Sequence, residues 1–116
     1  MRTTSLTYTR MNKFMRILVF FDLPVKTKVE RRVATQFRNF LLKDGYHMLQ
    51  FSFYARTCNG MDAVEKHRKR LYNCLPNNGS VRMLVITEKQ YQSIEIMVGK
   101  LAVPDNSFET EQLTFF

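Results

Sequence analysis

Tyr46-His47-Met48-Leu49-Gln50-Phe51-Ser52-Phe53-Tyr54-Ala55-Arg56-Thr57 can be read as one strand or as two, and the element order of the whole chain turns on which reading holds. From Tyr46 to Ala55 the residues alternate. His47, Leu49, Phe51 and Phe53 fall on one side and Tyr46, Met48, Gln50, Ser52 and Tyr54 on the other, the period of a half-buried strand. Read as a single strand, the segment gives the order β-α-β-α-β-β. Bent into two pieces around Gln50, it gives an order that begins β-α-β-β-α-β, with Ser93 to Val98 as an extra strand after it.

The segments on either side are clearer. Met15-Arg16-Ile17-Leu18-Val19-Phe20-Phe21 carries apolar side chains on both parities, as a central strand does, and order is expected to begin near Phe14. Asp22-Leu23-Pro24 ends it, since proline has no N–H for a ladder. Thr27-Lys28-Val29-Glu30 fits a capping box, and Val29, Val33, Phe37, Phe40 and Leu41 then mark a helical core stripe that stops at Gly45. A second helix is expected from Asp62 to Leu75, with Val64, His67 or Arg68, Leu71 and Leu75 inward. Ser80 to Thr87 reads as a further strand and Ser93 to Val98 as another, with Lys89-Gln90-Tyr91 in the connection.

Both ends differ in character from the middle. Residues 1–13 are polar and non-periodic and read as a flexible leader, leaving 14–99 as one domain. Residues 100–116 form a tail in which Leu113-Thr114-Phe115-Phe116 is a short strand candidate, expected to add to the edge of a second subunit's sheet or to a partner surface.

A chain of 116 residues has room for one core and little for a deep cofactor cleft, so chemistry is expected at an edge or between subunits. Eighteen Lys and Arg against ten Asp and Glu give a formal charge of +8, for which polyanions are the natural partners. Lys26, Lys28, Arg31, Arg32, Arg38, Arg56, Lys66, Arg68, Lys69 and Arg70 are the candidate nucleic-acid contacts. A solvated helix face is the plain alternative. No phosphate-binding glycine loop, zinc pattern or paired ribonucleoprotein aromatic motif occurs, which counts against nucleotide hydrolysis and sequence-specific readout. Cys58 and Cys74 read as free thiols, and without a secretory core or an apolar run of about 20 residues the chain is expected in the cytoplasm, away from membranes.

Asp22 is the sharpest chemical candidate, a carboxylate at the carboxyl end of a buried strand, where sites gather in α/β sheets. Its plain role would be to accept backbone bonds in the turn before the helix. One carboxylate holds magnesium weakly, but two copies of Asp22 facing each other in a dimer could share a cation. Ser52, Tyr54 and Gln50 could line the same groove, whereas His47 and His67 fit core or interface positions better than general bases.

Met15-Arg16-Ile17-Leu18-Val19-Phe20-Phe21-Asp22-Leu23-Pro24, Glu30-Arg31-Arg32, Phe37-Arg38-Asn39-Phe40-Leu41, Gly45-Tyr46, Gln50-Phe51-Ser52-Phe53-Tyr54 and Val85-Ile86-Thr87-Glu88-Lys89-Gln90-Tyr91 together resemble the small CRISPR-associated adaptation protein family, the partner of the spacer integrase. The Thr-Glu-Lys-Gln tract resembles the branch that accompanies single-effector, crRNA-guided DNA-cutting systems. The resemblance implies an α+β, ferredoxin-like fold and a homodimer set between two integrase dimers, supporting prespacer duplex DNA. It also implies the alternative role, a magnesium-dependent endonuclease acting on single-stranded RNA or double-stranded DNA, with Asp22 as catalytic residue and metal ligand from each subunit.

Overall fold

The computed structural model describes residues 14–99; the expected leader and the Leu113 to Phe116 strand lie outside the described residues. Strand β1 (Phe14–Asp22) is followed by helix α1 (Lys28–Lys43), strands β2 (His47–Gln50) and β3 (Phe53–Asn59), helix α2 (Met61–Asn73), strand β4 (Ser80–Thr87) and a short helix α3 (Glu88–Gln92). The order through β4 is β-α-β-β-α-β. All pairings in the four-stranded sheet are antiparallel, in the order β2-β3-β1-β4, so β1 is central as its two-sided apolar pattern requires.

The single-strand reading of Tyr46 to Ala55 is thereby corrected. Met48 pairs with Tyr54 and Gln50 with Phe53, a register shift that leaves Leu49 as an extra residue and Phe51-Ser52 as a two-residue turn. Ser52 has φ +64°, a left-handed conformation more usual for glycine or asparagine at such a turn. Its carbonyl accepts a 3.0 Å hydrogen bond from the Phe21 N–H, which fastens the turn to the end of β1.

Both long helices cover one face of the sheet. Ile17, Val19 and Phe21 of β1 point into that layer, with Tyr54 and Cys58 of β3, and meet Phe37 and Leu41 of α1 and Val64 and Leu71 of α2. Helix α1 begins at the expected capping box: the Thr27 hydroxyl accepts from the Glu30 N–H, and the Glu30 carboxylate accepts from the Thr27 N–H. The expected inward role of Val29 fails, because it lies on the solvent side of the first turn while Ala34 is buried.

The opposite face has no second layer among the described residues. Cross-strand register places Arg16, Leu18, Phe20, Asp22, Phe53, Ala55, Leu84 and Ile86 on it. Leu18 and Ala55 are buried, but Phe20 and Leu84 stand exposed.

Ser93 to Val98 is not a strand; Ile94, Ile96 and Val98 are exposed. A second capping box, in which the Thr87 and Gln90 side chains each bond the other's backbone N–H, turns the chain out of β4 into α3, and the residues after it meet no strand edge. Helix α3 is tied to β1 by Arg16, which grips Glu88 with two bonds (2.7 and 3.1 Å) and lies 4.0 Å from the centre of the Tyr91 ring. No described helix is long and apolar enough to cross a membrane.

Candidate nucleic-acid interface and strand-end groove

Asp22 ends β1 opposite Ser80 of β4, and Phe20 stands opposite Arg82. With Gln50, Phe51, Ser52 and Phe53 of the β2–β3 turn, these residues line a groove of about 450 Å³ at one end of the sheet. The carboxylate of Asp22 is exposed, and no hydrogen bond or ion pair among the described residues engages it. Gly79 makes the close approach possible: at φ +94° a Cβ there would stand 2.6 Å from the Asp22 carbonyl oxygen and 2.8 Å from a Leu23 methyl.

Ser52 and Gln50 line this groove, as expected. Tyr54 does not; the turn at Phe51-Ser52 reverses the chain, so Tyr54 faces the helices and packs 5.6 Å from Phe21, ring centre to ring centre. Arg82, Ser80 and Phe51 were not singled out by sequence. Only the β1–β4 register brings Arg82 beside Asp22, whereas Phe51 was assigned to a strand face that the turn dissolves.

The side-chain groups in the groove that could ligate a metal are all oxygen, from the Asp22 carboxylate, the Ser52 and Ser80 hydroxyls and the Gln50 amide carbonyl, a chemistry that suits a hard cation such as magnesium. The Arg82 guanidinium is itself a cation and suits an anion. One chain supplies a single carboxylate, and among the described residues no group of three or more His, Cys, Asp or Glu could hold a metal. The fit is therefore to a shared or largely hydrated ion.

The candidate basic residues divide by how far the fold already uses them. Lys26, Lys28 and Arg32, at and just before the start of α1, are exposed, as are Lys66 and Lys69 on α2. Arg68 is exposed beside Glu65 (3.2 Å), and Arg38 is half-exposed and bonds the Thr35 hydroxyl. Arg31 turns back on its own helix start, donating to the Val25 and Lys26 carbonyls. Arg56 is half-buried and donates to the Asp44 carbonyl (2.8 Å), and Arg70 donates to the Asp44 carboxylate (2.8 Å).

His67 also reaches Asp44, its Nδ1 lying 2.8 Å from the second carboxylate oxygen. Burial alone would push the Asp44 carboxyl up, but the bonds and positive charge from His67 and Arg70 outweigh it and hold the carboxyl below its usual range. His67 is thus a buried core histidine. His47 is exposed on the open sheet face, where burial and the nearby Arg16 charge push its imidazole below the usual value. Cys58 is buried and Cys74 exposed, both as free thiols; burial raises the Cys58 thiol.

Residues 15–94 match the family model described as CRISPR associated protein Cas2. A CRISPR-associated endoribonuclease Cas2 of Acidovorax ebreus is 51% identical over 102 residues, covering 88% of this chain and all of that protein. One from Flavobacterium psychrophilum is 43% identical over 94% of this chain and 96% of its own length. A solved structure titled "Crystal structure of cas2" superposes with a TM-score of 0.55 at 17% identity, over 80% of this chain and 95% of that one, a likeness of fold.

Proposed function

The chain belongs to the CRISPR-associated Cas2 family, and we propose that within it the protein is a dimeric, nucleic-acid-binding subunit of spacer acquisition that supports prespacer duplex DNA and bridges dimers of the spacer integrase. One observation carries this reading: the apolar strip of the open sheet face around Phe20 and Leu84 and the exposed cations of the two long helices lie on opposite sides of the domain. Phe20, Leu84 and their neighbours would be covered by the same face of a second copy, an isologous contact that removes apolar surface from water. Both pairs of helices would then face outward. Lys26, Lys28, Arg32, Lys66, Arg68 and Lys69 would be repeated on both flanks of a particle carrying twice the formal +8 charge. Such a surface binds phosphates without reading bases.

The test is duplex binding across a salt series, with recovery of the cognate integrase on a splayed duplex. A steep loss of affinity with salt and recovery of a ternary complex are expected. Salt-independent binding, or no association with the integrase, would overturn the scaffold.

A second reading is favoured by the exposed, unengaged Asp22 beside Arg82 in a groove, together with the name endoribonuclease carried by the relatives. Here Asp22 from each of two copies would hold a divalent cation, magnesium by its oxygen ligands; when bound, such an ion acidifies water and neutralises phosphate charge. Arg82 would bind a phosphate oxygen, and Ser52 and Ser80 would offer hydroxyls to the ribose or the water shell. Asp22→Asn separates the two roles, since it should abolish magnesium-dependent cleavage of single-stranded RNA while leaving duplex binding unchanged. Full cleavage by that variant would remove the nuclease assignment.

A further inference from the structure

We infer that the Asp22 groove accepts one unpaired nucleotide of a single strand, with Phe51 as the platform on which its base stacks and Arg82 as the contact to its phosphate. The inference rests on the nucleic-acid reading above and deepens it by naming the residue that would hold the base of a single strand in the groove. Phe51 is 87% exposed, the most exposed large apolar side chain in the described domain. It belongs to neither face of the sheet, because it lies in the turn beyond the last ladder pair, Gln50 and Phe53. Phe20 and Phe53 stack on each other with ring centres 4.6 Å apart, so Phe51 is the groove ring without an aromatic partner among the described residues.

The turn that presents Phe51 is fixed. Ser52 holds its positive φ, a conformation costly for a residue with a Cβ, and its carbonyl is bonded to the Phe21 N–H one residue before Asp22. The backbone that carries the ring is therefore tied to the end of β1, and the ring and the Asp22 carboxylate line the same groove. At about 450 Å³ the groove lies within the roughly 300–1,000 Å³ of small-ligand sites. Its walls pair with the parts of a nucleotide: a ring for the base, the Gln50 amide for the base edge, a guanidinium for the phosphate and a carboxylate for a cation or sugar hydroxyl. Inside a duplex both faces of a base are covered by its neighbours, so a phenylalanine platform can act only on an unpaired base.

The sequence contains no tryptophan, so Phe51→Trp creates a single fluorescent reporter at this position. Titration with oligothymidylate should quench it saturably, and a blunt duplex of equal length should not. Phe51→Ala should bind oligothymidylate about tenfold more weakly, with duplex affinity and thermal unfolding unchanged. Arg82→Gln should lower the salt slope of single-strand binding by about one. Single-strand affinity unaltered in Phe51→Ala overturns the platform. So does a Phe51→Trp signal that follows protein dilution and ignores oligonucleotide, since Phe51 would then lie between two copies. Failure of the unsubstituted protein to bind any nucleic acid would overturn the functional reading itself, and the platform with it.

Discussion

Two aspartates sit just past the ends of regular elements in this domain, and they are placed in opposite ways. Asp44 follows α1, is almost fully enclosed, and has both carboxylate oxygens taken, one by His67 and one by Arg70, while its carbonyl accepts from Arg56. Asp22 ends β1 with its carboxylate exposed in a groove. A carboxylate whose lone pairs are filled by its own chain holds the chain together; one left open can take a ligand. Sequence context does not separate the two, since each closes an element before a turn.

The largest expected effect is on stability at Asp44. Asp44→Ala leaves the buried His67 ring without its acceptor and removes the ion pair with the half-exposed Arg70, at a cost of about 2–4 kcal/mol. Asp22→Ala should change stability by no more than about 0.5 kcal/mol, as exposed positions do. Urea unfolding of the two variants, compared at their midpoints, measures the contrast. Equal losses would break the comparison between the two aspartates.

The Gly79 contact gives the next effect. Gly79→Ala would push a methyl against the Asp22 carbonyl and Leu23 at a backbone φ of +94°, and about 1–3 kcal/mol is expected from strain of this kind. Unlike Asp22→Ala, it should disturb the groove as well as the fold. Loss of single-strand affinity together with stability, in one variant, would show that the position of β1's end matters to binding.

Acid should sharpen the same contrast. The Asp44 carboxyl is held below its usual value of 3.8, so the stability it contributes is complete above that pH and is lost as pH falls through the lower folded value. The titratable and charged groups facing it are His67 and Arg70, with Tyr46 and Arg56 nearby. Unfolding free energy should decline below about pH 3.8 in the unsubstituted protein, and Asp44→Asn should flatten that decline. An identical acid limb in both proteins would mean that Asp44 is not the group being titrated.

Much of the sheet and both long helices were legible because their signals are local. The apolar run of β1, the Thr27 capping box and the bounds Ser80 to Thr87 each lie within one short window. The β2–β3 turn was hidden because Ser52 adopts a conformation its residue type does not announce, while Phe51 and Phe53 continue an alternating pattern across it. At the site, Asp22 was visible from its strand end, but Arg82 is 60 residues away in sequence and enters the same groove only through register. The Asp44–His67 bond spans 23 residues and is equally silent in the sequence. Ser93 to Val98 misled for a different reason: its alternating Ile94, Ile96 and Val98 match a strand pattern, but a strand also needs a neighbour.

The smallest effect is expected at the far end of β1, where Arg16 joins Glu88. This pair is partly buried and bidentate, with Arg16 also over Tyr91, so Glu88→Gln should cost about 1 kcal/mol near neutral pH. The Arg16 bond is the largest influence on Glu88 and lowers its carboxyl below the usual 4.5, against a smaller upward push from burial. Its contribution is therefore present above about pH 4.5 and fades as pH falls through the lower folded value, so the difference between Glu88→Gln and the unsubstituted protein should close in acid. Arg16 lies six residues before Asp22 along an extended strand, roughly 20 Å away at about 3.3 Å per residue. Single-strand affinity and cleavage should accordingly be unchanged by Glu88→Gln. A change in either would mean that α3 and the strand-end groove are coupled along β1, and that the groove depends on the whole strand rather than on its last residues.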